Sequence, residues 1–208
     1  MTRDAWYSDR KVALVIVDPY NDFLTAGGRA WLFNRATLKK LKTVTNLEQI
    51  LAHARATGMT VCFAPHARYR RGMFDHRRYL NPSTYLAKFF QTLSAKGWGG
   101  RFRNGLEPEP GEFVAKEHLV SSGFVGTDLG EHLSREGVEE IILCGCLSNT
   151  CIESIARSAI ELGYHVTILT DALAAMSEAD HGAAVASGFP MCANRTMSSR
   201  DWIGQGAA

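Results

Sequence analysis

Long hydrophobic runs are missing from this 208-residue chain. The opening segment MTRDAWYSDRKVALVIVDPYNDF holds one short apolar run, Val12–Val17, flanked by charge and too short for a signal core or a membrane span. No membrane partner is therefore expected. An excess of one charge sign is missing too: 23 Lys+Arg stand against 21 Asp+Glu, so no basic field marks a nucleic-acid partner. Cysteines are few and odd in number, five in all. Without a secretory signal, that count argues against a disulfide framework and for free thiols in a reducing, cytoplasmic setting. Repeats and low-complexity tracts are absent. What remains is a chain long enough for one substantial core, expected to be a single domain over residues 1–208.

Apolar, β-branched runs alternate with amphipathic stretches, the pattern of strand–helix–strand units around a buried parallel sheet. The run VALVIV at 12–17 reads as a first strand. Leu41, Val44, Leu47, Ile50, Leu51 and Ala54 then recur at helical spacing, and Gly58 closes that helix. MTVCFAP at 59–65 is a second strand. From 66 to about 110 the pattern breaks into an irregular excursion with a short helix near 83–95 and the Gly- and Pro-rich KGWGGRFRNGLEPEPG. Regularity returns with the strand EFVAKEH at 112–118, a helix from about Asp128 to Glu136 with Thr127 as N-cap, and the strand VEEIILCG at 138–145. A helix over 151–163, the strand YHVTILTDA, a helix near 178–187 and a short strand near 191–196 follow. The expected fold class is α/β, an open, mostly parallel six-stranded sheet with helices on both faces. Its ligand crevice should lie where loops leave the carboxyl ends of the strands.

Three such loops carry candidate chemistry. Asp18 follows the first apolar strand directly; alone it reads as well as a turn former with Pro19. Lys116 falls near the end of a short strand, where a solvated edge lysine is the ordinary reading. The third loop is LCGCLSNTCIES, 143–154, with three cysteines in eight positions. Cys144 lies within a strand and reads as a small buried hydrophobe, and Cys146 as a turn residue just past it. Cys151 opens a helix, where the dipole and free N–H groups should lower its pKa and could bind an oxyanion. The spacing C-x-C-x4-C, with no partner cluster, is a poor zinc knot.

Together, ALVIVDPYNDF, VAKEHLVSSGFVGTDL and VEEIILCGCLSNTCIESIARSAIELGYHVTILTDA resemble the isochorismatase-like hydrolases, the cysteine amidohydrolase superfamily. The resemblance implies an Asp–Lys–Cys triad of Asp18, Lys116 and Cys151: Cys151 as nucleophile, Asp18 as proton carrier and Lys116 as the cation that polarises the pair. It further implies a cis peptide between Cys146 and Leu147, and an oxyanion hole from the amides of Leu147 and Cys151. Two departures stand out. Tyr20 occupies a position where the family often has Gln, and Ala64 stands where a zinc-binding aspartate of nicotinamidases would be, so His66 is retained without it and no metal or other cofactor is expected.

The excursion opens with a basic run (His66, Arg68, Arg70, Arg71, His76, Arg77 and Arg78), mostly expected as solvated surface, although one or two of these cations could bind a substrate carboxylate. Tyr20, Phe23, His66, Trp98 and Phe124 are candidate substrate-binding residues, and Gly99 and Gly100 suggest a close backbone approach. The expected function is metal-independent hydrolysis of a small amide, ureido or lactam C–N bond through an acyl-enzyme on Cys151, in a homo-oligomer. The alternatives are isochorismatase-type vinyl-ether hydrolysis, which needs no thiol nucleophile, and a redox sensor pairing Cys146 with Cys151.

Overall fold

The structure, a computed structural model, describes residues 10–205; residues 1–9 and 206–208 of the expected domain lie outside the described residues. Strand β1, Val12–Val17, is buried on both faces: Ala13, Val15 and Val17 pack into one core, Leu14 and Ile16 into another. This period-two sorting makes β1 the centre of a parallel sheet rather than an edge. The other strands are β2 (Thr60–Ala64), β3 (Phe113–Val114), β4 (Glu140–Cys146), β5 (His165–Ala174) and β6 (Arg195–Met197). They form one six-stranded sheet in the order β3-β2-β1-β4-β5-β6. Every pairing is parallel. The expected fold class is the observed one.

Helices α1 (Asn21–Leu24), α2 (Trp31–Leu41), α3 (Thr43–Ala56) and α4 (Pro82–Phe90) precede β3. Helices α5 (Leu129–Arg135), α6 (Glu153–Glu161), α7 (Glu178–Ala183) and α8 (Ser199–Gln205) follow it. Leu47, Ile50, Leu51 and Ala54 of α3 cover one face of the sheet, and Leu129, Leu133, Ile155 and Ala159 of α5 and α6 cover the other. Gly58 ends the first strand–helix unit with φ +68°.

Several boundaries differ from expectation. Only Phe113–Val114 of 112–118 pair as strand; the chain then meets the segment after β2 again in a single parallel bridge, His66–His118. The N-cap of α5 is Asp128, although the Thr127 hydroxyl still accepts the Leu129 N–H at 3.3 Å. Cys146 is the last residue of β4 and fully buried, not a turn residue. The helix expected from 151 begins as a π-helical turn, Ser148–Ile152.

The excursion is stapled to the loop after β1. The Asp22 carboxylate accepts the N–H groups of Arg29 at 2.9 Å and Leu93 at 2.6 Å, and the Asn21 amide donates to the carbonyls of Trp98 and Phe102. Gly99 sits so close that a Cβ there would overlap Asp22 Oδ1, the backbone approach expected of this segment. Among the described residues, no helix is long and apolar enough to cross a membrane. Overpacking at a buried staple costs roughly 1–3 kcal/mol. Gly99→Ala should therefore lower the thermal unfolding midpoint by several degrees in calorimetry.

Candidate active site

In the order of the strands, β1 lies between β2 and β4, and the chain turns to opposite sides of it, so the carboxyl ends of β1 and β4 flank the crevice of the sheet. Asp18, immediately after β1, has φ +52°, in the left-handed region that few non-glycine residues adopt. Its N–H donates to the Ala64 carbonyl at the end of β2. Gly145 of β4 packs against Val17 so closely that a Cβ would overlap the Val17 carbonyl oxygen, which lets the two strand ends meet beside Asp18. The peptide Cys146–Leu147 is cis, as the resemblance implied. The following turn is held by the Leu147 carbonyl, which accepts from the N–H groups of Thr150 and Ile152 at 3.2 Å each. The Ser148 hydroxyl adds a bond to the Ala174 carbonyl at 3.0 Å.

Asp18 and Cys151 meet as expected, but Lys116 does not join them. Its side chain is 74 % exposed and its ammonium reaches Asp128 at 3.9 Å. His118 takes the place beside the carboxylate: Nε2 lies 3.2 Å from Asp18 Oδ1, and neither side chain has any solvent exposure. The cause is the path of the backbone after β3. The His118 N–H donates to the Pro65 carbonyl at 2.9 Å and its carbonyl accepts from Ala67 at 2.7 Å, which draws this residue, two positions beyond Lys116, across the end of β2.

The carboxylate oxygen of Asp18, an imidazole nitrogen of His118 and Cys151 Sγ all lie within 4.8 Å of one another. Burial, then the negative charge of the adjacent Asp18, push the Cys151 thiol well above its ordinary range, and the Leu147 amide opposes them only in part. The shift runs opposite to the helix-terminal lowering expected for Cys151. Burial raises Cys146 as well, and it lifts Cys62 to about 12, so these thiols are inert.

A cavity of about 590 Å³ opens from Cys151 and Leu147. Phe23 and His66 line it as expected. The other three candidate substrate-binding residues do not. Tyr20 is buried with its ring 5.1 Å from that of Phe102, and its hydroxyl donates to the His66 carbonyl at 2.9 Å. The antiparallel bridge Tyr20–Phe102 turns it into the staple of the excursion. Trp98 serves through its carbonyl and lies outside the cavity wall. Phe124 packs on the α5–α6 core, 5.9 Å from the Tyr164 ring. Residues not anticipated in the wall include Phe33, Leu86, Phe90 and Met176, none of which stands in a chemically marked motif. A second cavity, of about 610 Å³, lies at the opposite end of the sheet beside Val138 and His165 and holds no member of the triad.

A model described as the Isochorismatase domain matches residues 12–200. The chain belongs to the isochorismatase family. The isochorismatase-family protein YddQ of Bacillus subtilis is 30 % identical over 162 residues, which is 78 % of this chain and 77 % of that protein. Ureidoacrylate amidohydrolase RutB of Stutzerimonas stutzeri is 25 % identical over 173 residues, 78 % of this chain and 69 % of that one. Among solved structures, a cysteine hydrolase from Pseudomonas syringae pv. phaseolicola matches with a TM-score of 0.77 at 24 % identity, covering 95 % of this chain and 94 % of its own. N-carbamoylsarcosine amidase from Thermoplasma acidophilum matches with a TM-score of 0.68 at 22 % identity, covering 91 % and 96 %. At such identities the two solved structures speak for the fold. The chain is thus an isochorismatase-family hydrolase in which His118, not Lys116, lies beside Asp18.

The sign of the Cys151 shift gives a direct test. Asp18→Asn removes the carboxylate charge that raises the thiol, so iodoacetamide should label Cys151 faster than in wild type at pH 7–8, while hydrolysis is lost. Peptide mass spectrometry of timed samples reads the labelling rate; slower labelling in Asp18→Asn would contradict a thiol raised by the Asp18 charge.

Proposed function

We propose that the chain is a cysteine hydrolase that cleaves the C–N bond of an amide, ureido or lactam substrate, without a metal, through an acyl-enzyme on Cys151. The carrying observation is the buried cluster of Asp18, His118 and Cys151, whose carboxylate oxygen, ring nitrogen and sulfur all lie within 4.8 Å of one another. The amidohydrolase activity in the name of RutB supports the same reaction class.

As the sulfur attacks the carbonyl carbon, Asp18 takes the thiol proton. The Leu147 amide, with that of Cys151, donates to the developing oxyanion. When the tetrahedral species collapses, Asp18 returns the proton to the leaving nitrogen, the C–N bond breaks and a thioester remains. Water then attacks, Asp18 takes its proton, and collapse releases the acid and restores the thiol. The sum is amide plus water to carboxylic acid plus amine. His118, with Nε2 3.2 Å from Asp18 Oδ1, holds the carboxylate in place.

The Asp18, His118 and Cys151 donors are also a chemically competent zinc set. Cys151→Ala should abolish hydrolysis with the thermal midpoint retained, and 1,10-phenanthroline should leave the wild-type rate unchanged. Full inhibition by the chelator, reversed by zinc, would move the reaction to a metal.

His118→Ala should reduce kcat/KM by roughly 10²–10⁴-fold in initial-rate assays, and an unchanged value would remove His118 from the site.

Two further parts belong to the proposal. All five cysteines are free, which suits a cytoplasmic setting. Helix α4 leaves Tyr85 and Phe89 61 % and 71 % exposed, apolar area that a second copy of the chain would cover in a homo-oligomer.

A further inference from the structure

We propose that the substrate is an apolar amide: an alkyl or aryl body seated in the cavity beside Cys151, with one carboxylate read by Arg29. This rests on the amide hydrolysis proposed above and narrows it. The cavity wall is built from separate segments that all present apolar side chains: Phe33 of α2, Met73 and Phe74 of the excursion, Leu86 and Phe90 of α4, and Met176 after β5. Phe33 is 55 % and Phe90 56 % exposed, so water touches aromatic surface that an apolar ligand would cover. Besides Arg29, the wall offers a small polar substrate the hydroxyls of Tyr69, Thr84, Thr92 and Thr150 and the His66 ring, set among a majority of apolar side chains that would take water from its polar groups.

Arg29 is the one residue of the wall, among the described residues, that carries a permanent charge. Its guanidinium donates to the Gln91 carbonyl, where α4 ends in a left-handed residue, and no carboxylate pairs with it among the described residues. The cations of the basic run are not equivalent to it. Arg68 and Arg70 are tied to Glu117 at 2.5 and 2.8 Å, and Arg71, Arg77 and Arg78 lie outside the wall. An anionic group entering the cavity therefore meets Arg29, whose planar fork suits a carboxylate.

The test is kcat/KM along unbranched primary amides from propionamide to octanamide, along N-alkyl acetamides of matching length, and along the ω-carboxylated forms of both. In at least one series it should rise roughly threefold per added methylene until the cavity is filled. The carboxylated forms should gain about tenfold more at the length that spans Cys151 to Arg29. Phe90→Glu should flatten the rise. Arg29→Met should abolish the carboxylate gain and keep the rise with length. Flat or falling values in both series would overturn the apolar class, and absence of an Arg29-dependent gain at every length would overturn the carboxylate. Titration of butyrate and octanoate into Cys151→Ala reads the same preference without turnover. If no amide is hydrolysed and Cys151 takes no acyl group, the C–N reaction fails, while this titration still decides the class: tighter octanoate binding upholds it and equal binding refutes it.

Discussion

A carboxylate sealed from water must have a partner, and the site is arranged around that requirement. Asp18 has no solvent exposure, and the group that faces it is the His118 imidazole at 3.2 Å, itself fully buried. Removing one member of such a pair strands the other charge in a low-dielectric interior. The backbone is shaped to keep the pair together. Asp18 is held in a left-handed conformation against the end of β2, and His118 is drawn over the same end by its bonds to Pro65 and Ala67. Gly145 lets β4 approach β1 closely enough for Cys151 to complete the cluster.

That arrangement decides the state of the sulfur. A cysteine at a helix start is commonly activated by the dipole, but here burial and the adjacent negative charge of Asp18 push the thiol the other way. In the proposed reaction activation is coupled to the substrate: the proton moves when the carbonyl carbon offers the sulfur a bond and the Leu147 amide offers the oxygen a donor. Burial raises Cys62, Cys144, Cys146 and Cys192 too, but none of them is grouped with Asp18 and His118 as Cys151 is.

The sheet was legible because its strands are buried on both faces and therefore read as apolar runs. Helix α2 was not, since its buried face includes Asn34 and Thr37, and Thr37 is held by a hydrogen bond to the Ala175 carbonyl rather than by apolar periodicity. Helix α8 likewise turns on Ser199, whose N–H and hydroxyl bond Asp171. Within the site, Asp18 and Cys151 were marked by their places at a strand end and a helix start. In the second loop a lysine at the end of the strand selects Lys116, whereas any side chain able to hold a proton beside a carboxylate also admits His118. The deciding signal is tertiary, the crossing of that loop over β2. The cavity wall is similar: Phe33, Leu86 and Phe90 come from helices whose apolar positions read as ordinary core, and only the folded excursion turns them toward Cys151.

The central claim is that the carbonyl carbon of an amide is transferred to Cys151 before water releases it. Rapid acid quench of wild-type enzyme under single turnover with a hydrolysed amide, followed by peptide mass spectrometry, measures this directly. The account predicts an acyl mass on the Cys151 peptide that appears and decays with product formation and is absent from Cys151→Ala. Product formed at full rate with the Cys151 peptide unmodified at every time point would contradict it.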